Sequence, residues 1–181
     1  MKNILLLVTL VTSLFVLPAC ATAAGPWKGK VIDHDTKEPI EGAAVVAVFT
    51  ADRFGGGGGP VEKFVDAKET VTDKDGNWEI PAYSPVSMPL IREMNDPRFT
   101  IFKPGYGALP INNSGEGNLI DLMASFGRGG GVVELPKLTD KERKMLLLYD
   151  LGRYLVGIDK APNFYKLYNE ERKYLGLGDQ R

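Results

Sequence analysis

The sequence predicts a mainly-β domain with two helices appended at its C-terminal end. Three observations carry that expectation. Between residues 27 and 109, short β-branched or alternating runs are punctuated by glycine and proline. An Asp-Lys-Asp-Gly-Asn turn at residues 73–77 separates two of these runs. Beyond residue 137 the hydrophobic period becomes that of an amphipathic helix.

Residues 28–33 (KGKVID) make a short strand, followed by a polar turn closed by Pro39. Residues 43–50 (AAVVAVFT) are almost wholly apolar, as in a strand covered on both faces. The five glycines at 55–59 predict a mobile loop; no Lys-Ser/Thr pair follows them, which argues against phosphate binding. Residues 69–72 and 78–81 read as the two strands of a hairpin. Residues 84–97 carry Pro85, Pro89 and Pro97 without a clean period and read as a long connection. Three more strands are expected at 98–102, 118–122 and 132–135. Thr139 and Glu142 then form a capping box. Met145, Leu148, Leu151 and Leu155 continue it as the apolar stripe of a helix over 139–156. A second helix, 162–175, starts at a proline, presents Phe164, Leu167, Tyr168 and Leu175 on one side and stops at Gly176.

The N-terminal residues read as an address. Lys2 precedes an apolar run over 4–16, the length of a signal-peptide core and too short to cross a bilayer alone. Leu17-Pro18-Ala19-Cys20 resembles the lipobox of bacterial lipoproteins. That resemblance implies cleavage before Cys20 and a diacylglycerol on its thiol, with palmitate-type chains anchoring the protein in a membrane. In a diderm envelope, Ala21 after the cysteine implies the outer membrane. Ordinary secretion, with an A-x-A-like site at 19–21 or 21–23, is the alternative and gives a soluble secreted or periplasmic protein. The chain thus divides into a signal peptide (1–19), a tether (20–26), a β domain (27–136) and a helical extension (137–181).

Composition narrows the function. Lys plus Arg number 22 against 23 for Asp plus Glu, so there is no basic excess to hold a nucleic-acid backbone. One Cys and one His exclude a disulfide framework and a zinc site built from several such residues. His34 lies between Asp33 and Asp35 in an expected turn and reads as a solvated histidine rather than a catalytic base. The acidic turn at 73–79 places oxygens at alternate positions, but its glycine stands fourth and not sixth, so turn formation explains it better than calcium.

Gly29-Lys30-Val31-Ile32-Asp33, Pro39-Ile40-Glu41-Gly42-Ala43-Ala44-Val45, Thr72-Asp73-Lys74-Asp75-Gly76-Asn77-Trp78 and Lys103-Pro104-Gly105-Tyr106 occur in this order. Together they resemble the carboxypeptidase regulatory-like domain family over roughly residues 28–109. The resemblance implies a transthyretin-like (prealbumin-like) β-sandwich of seven strands or so, here with a C-terminal two-helix extension. It carries over no catalytic residue. The iron and hydrolase sites found on related sandwiches need more histidines than this chain has.

The functional expectation is therefore a non-catalytic envelope lipoprotein with a structural or ligand-binding β-sandwich, lipidated at Cys20, without cofactor or metal. Two alternatives accompany it. One is an assembly module docking a protein partner through helices 139–156 and 162–175. The other is a carbohydrate-binding module using Trp78, Tyr83 and Tyr106 as exposed aromatics.

Overall fold

The computed structural model describes residues 24–55, 59–83, 93–110, 116–151 and 160–178. Within them the chain is mainly β, arranged as two sheets with three helices. Strand β1 (Trp27–Asp33) lies at the centre of a three-stranded sheet. It pairs antiparallel with β4 (Asn77–Ile80) and parallel with β8 (Gly131–Leu135). Trp27, Val31 and Asp33 are buried while Lys28 is exposed, the alternation of a sheet with one face on the core.

The second sheet is built around β2 (Ala44–Gly55), paired with β3 (Gly59–Val71) along its whole length and with β6 (Arg98–Phe102) over its first half. The two-residue strands β5 (Glu93–Met94) and β7 (Ala108–Leu109) join β2 and β6 respectively. Side chains of β2 are divided between two cores. Val45, Ala47 and Phe49 face the three-stranded sheet with Trp27, Trp78, Phe99 and Phe126. Ala44, Val46 and Val48 face the opposite way, onto Phe102, Phe164 and Tyr168. A strand buried on both faces has no place for a polar residue, which is why residues 43–50 read as one apolar run.

The turn between β3 and β4 forms as the sequence predicts. Asp73 Oδ1 accepts the N–H groups of Asp75 at 2.9 Å and Asn77 at 2.8 Å. Gly76 takes φ +77°, and a Cβ there would lie 2.4 Å from the Val31 carbonyl oxygen, so only glycine fits.

Four expectations need correction. Residues 118–122 are not a strand but part of helix α1 (Glu116–Gly127), which sends Phe126 into the inner core and seats Leu122 and Met123 at its margin. A five-residue window could not separate the two periods. The strand expected at 69–72 is the end of a thirteen-residue strand beginning at Gly59. The loop expected over 55–59 is shorter, because Gly55 and Gly59 pair with each other as the ends of β2 and β3.

The fourth correction concerns the helical stripe. Helix α2 (Asp140–Met145) opens with the expected capping box but continues as a π-helical turn, Leu146–Asp150, in which the Leu151 N–H donates to the Leu146 carbonyl. The wider turn rotates the apolar face, so Leu146, Leu147 and Leu151 are buried whereas Met145 and Leu148 are 52 % and 51 % exposed. Leu155 lies outside the described residues. Helix α3 (Pro162–Tyr174) buries Phe164, Tyr168 and then Leu175, with Leu167 partly buried, as its spacing predicts. The α2 and α3 segments thus cover the outer face of the five-stranded sheet.

Candidate functional site

Cys20 lies outside the described residues, as do 56–58 of the glycine run and 84–92 of the long connection. The three aromatic candidates do not come together as a platform. Trp78 is only 4 % exposed and packs edge-on to Phe126 at 5.0 Å between ring centroids. Its indole occupies the space a side chain at Gly29 would need, so its face is closed to a sugar ring. Tyr83 is half-buried and stacks on Phe49 at 4.4 Å, with Lys68 over its ring. Tyr106 is half-buried at the opposite end, under Lys137.

The charged clusters serve the fold. Asp33 is buried at the end of β1, where it accepts the N–H groups of Asp35 and Thr36, both at 2.9 Å, and ion-pairs with Lys137 Nζ at 3.1 Å. The Thr36 N–H, together with Lys137, holds this carboxyl well below the usual carboxylate range. Burial pushes the neighbouring Tyr106 hydroxyl up. His34 is exposed and meets Glu134 at 2.9 Å, beside Lys37. Asp73 spends its carboxylate on the turn. Among the described residues, no three His, Cys, Asp or Glu side chains converge on a point that would hold a metal ion.

A buried ion pair joins the two C-terminal helices. Glu171 is 3 % exposed and takes both Nε and Nη2 of Arg143, the latter at 2.7 Å, while the Gly105 N–H donates to Glu171 Oε1 at 3.2 Å. Glu171 in turn keeps the Arg143 guanidinium firmly charged. These contacts fasten α2 and α3 to the turn after β6.

A groove lies on the other side of the molecule. The outward face of the three-stranded sheet carries Lys28, Lys30, Asn77, Glu79 and Val132, alternating with the inward residues of the same strands. Together with Thr70, Val71 and Asp73 on one side and residues 129–131 on the other, they line an open groove of about 650 Å³. Lys28 and Glu79 form an ion pair across adjacent strands at 3.1 Å, and Val132 is exposed. The alternation at 28–33 is the signal in the sequence that could have found this face; the three non-adjacent strands that assemble it are not visible there.

The fold and site define a mainly-β, two-sheet protein with one sheet face covered by helices and the other carrying an open groove of mixed polar and apolar lining. No protein-family model matches the chain, and neither a curated protein nor a solved structure gives a significant match. No helix among the described residues is long and apolar enough to cross a membrane.

Proposed function

We propose that the chain is a non-catalytic protein of the cell envelope, tethered through a lipid on Cys20 and displaying a β-sandwich of the transthyretin-like type. The proposed recognition surface is the groove on the three-stranded sheet. The observation that carries this reading is the unequal treatment of the two sheets. The outer face of the five-stranded sheet is sealed by Leu146, Leu147, Leu151, Phe164 and Tyr168. The outer face of the other is left to Lys28, Lys30, Asn77, Glu79 and Val132. A groove with both charge signs and only two exposed valines, Val71 and Val132, suits a polar ligand or a transient partner better than a permanent apolar interface. The charged side chains with the deepest burial, Asp33 and Glu171, are held by the fold itself, which supports a structural rather than catalytic use of them.

The test is the mass of the mature N-terminus. A diacylglycerol-modified Cys20 is expected; an unmodified start at Thr22 or Ala24 would make the protein a soluble secreted one and remove the tether. Partner docking through the helices is the second reading, favoured by the exposure of Met145, Leu148 and Tyr174. It predicts that Met145→Asp with Leu148→Asp releases a partner while the fold persists.

A further inference from the structure

The registers of the three-stranded sheet set out the groove residue by residue. On the outward face Lys30 stands opposite Asn77 of β4 on one side and Val132 of β8 on the other. One row away Lys28 stands opposite Glu79, and the two close an ion pair at 3.1 Å. Directly opposed side chains of paired strands lie about 5 Å apart at Cβ. Lys30 thus has an amide and a methyl surface for neighbours, and no carboxylate opposite it.

The acids of the groove are already engaged. Glu79 is taken by Lys28, and Asp73 accepts the N–H groups of Asp75 and Asn77 through Oδ1. Among the described residues, neither the Lys30 ammonium nor the Asn77 side-chain amide has a hydrogen-bond or ion-pair partner. Lys28 and Lys30 balance Asp73 and Glu79, so the lining has no net charge to attract a run of negative groups. A single carboxylate does gain there, because an ammonium and an amide donate to it side by side. Val71 and Val132 are exposed around this point and offer contact to apolar neighbours of that carboxylate. Trp78, the aromatic residue of the lining, is buried and packed into the core, so a sugar ring finds no face to stack on.

We propose that the groove binds an extended acidic peptide, with Lys30 and Asn77 together holding one side-chain carboxylate. This rests on the groove being the recognition surface. Alternate side chains of an extended peptide point the same way, about 7 Å apart. The pattern offered to the sheet is therefore apolar, acidic, apolar at every second position.

The mature protein, isotope-labelled for amide NMR, is titrated with the peptide Val-Thr-Glu-Thr-Val, blocked at both ends, and with its counterpart Val-Thr-Gln-Thr-Val. The amides of Lys30, Asn77 and Val132 are expected to shift. The glutamine peptide should bind about tenfold more weakly, the worth of one charge-assisted hydrogen bond. Lys30→Gln should erase the difference between the peptides while the rest of the spectrum stays as in the wild type. Equal affinity for both peptides at these amides would remove the carboxylate and leave the groove as the recognition surface. If oligogalacturonate moves the same amides and the peptides do not, the occupant is a carboxylated sugar and the peptide is wrong. Groove amides unmoved by all three probes would overturn the proposal. Shifts gathered on α2 and α3 instead would remove the groove as the recognition surface along with it.

Discussion

Glu69 on β3 caps the helix that begins beside Asn163. Its Oε2 accepts the Asn163 N–H at 2.9 Å and its Oε1 accepts the N–H of Phe164, so a strand supplies the acceptor that Ala161, at the N-cap position, lacks. The Asn163 side-chain amide donates to the same carboxylate at 2.9 Å. Glu69→Ala is therefore expected to cost about 1–2 kcal/mol, read as a lower midpoint in urea with an unchanged slope. A Glu69→Ala protein of wild-type stability would show that the cap contributes nothing.

The π-helical turn decides which leucines carry weight. Leu147→Ala removes a buried side chain and should cost about 3 kcal/mol, whereas Leu148→Ala, at an exposed position, should stay within about 0.5 kcal/mol. Thermal or urea unfolding of the two variants checks the register, because an uninterrupted stripe through Met145, Leu148 and Leu151 requires the reverse order.

What the residues disclose on their own, and what they do not, follows from where the deciding interactions lie. β2 was legible because covering both faces leaves a continuous apolar run, and the turn at 73–77 because its acceptors sit two and four residues from the donors they satisfy. The capping box of α2 is equally local. The π turn is not: it exchanges the Met145–Leu148 face for the Leu146–Leu147 face under the pull of a sheet made from distant residues. Helix α1 was missed because Phe126, the residue that anchors it, lies beyond the short window that read as strand. The groove was missed altogether, since β1, β4 and β8 come from three separate stretches of chain.

Arg143 and Glu171 should behave as a unit. Arg143→Met leaves the Glu171 carboxylate buried with the Gly105 N–H as its remaining donor among these contacts, and is expected to cost about 3 kcal/mol or more. Adding Glu171→Leu should recover much of that loss, and a double-mutant cycle measured by denaturant unfolding reports the coupling. Additive costs would place the two side chains in independent roles.

Acid should loosen the ion pair between Asp33, at the end of β1, and Lys137. The folded pKa of Asp33 lies below its unfolded value of about 3.9. The unfolded chain therefore binds more protons in that window, and stability rises with pH through it. The contribution is complete above roughly pH 5 and is lost as pH falls below about 4. Asp33→Asn, which keeps the turn acceptor but not the charge facing Lys137, is expected to flatten the acid limb of a plot of Tm against pH. An unchanged acid limb would assign that sensitivity to other carboxylates.

Trp78→Ala should act on folding before it acts on any ligand. Removing an indole wedged between Gly29, Phe99 and Phe126 is expected to cost about 3–5 kcal/mol. Unfolding monitored by circular dichroism checks this; a stable variant would reopen the question of what the indole does.

The placement of β1 between two neighbours has a mechanical consequence. A force arriving through the residues before Ala24 meets the middle strand of its sheet, held on one side by β4 and on the other by β8. Pulling along that strand shears two ladders of hydrogen bonds at once instead of peeling one edge bond after another. A chain pulled from that end gives up its first strand only when both ladders yield together.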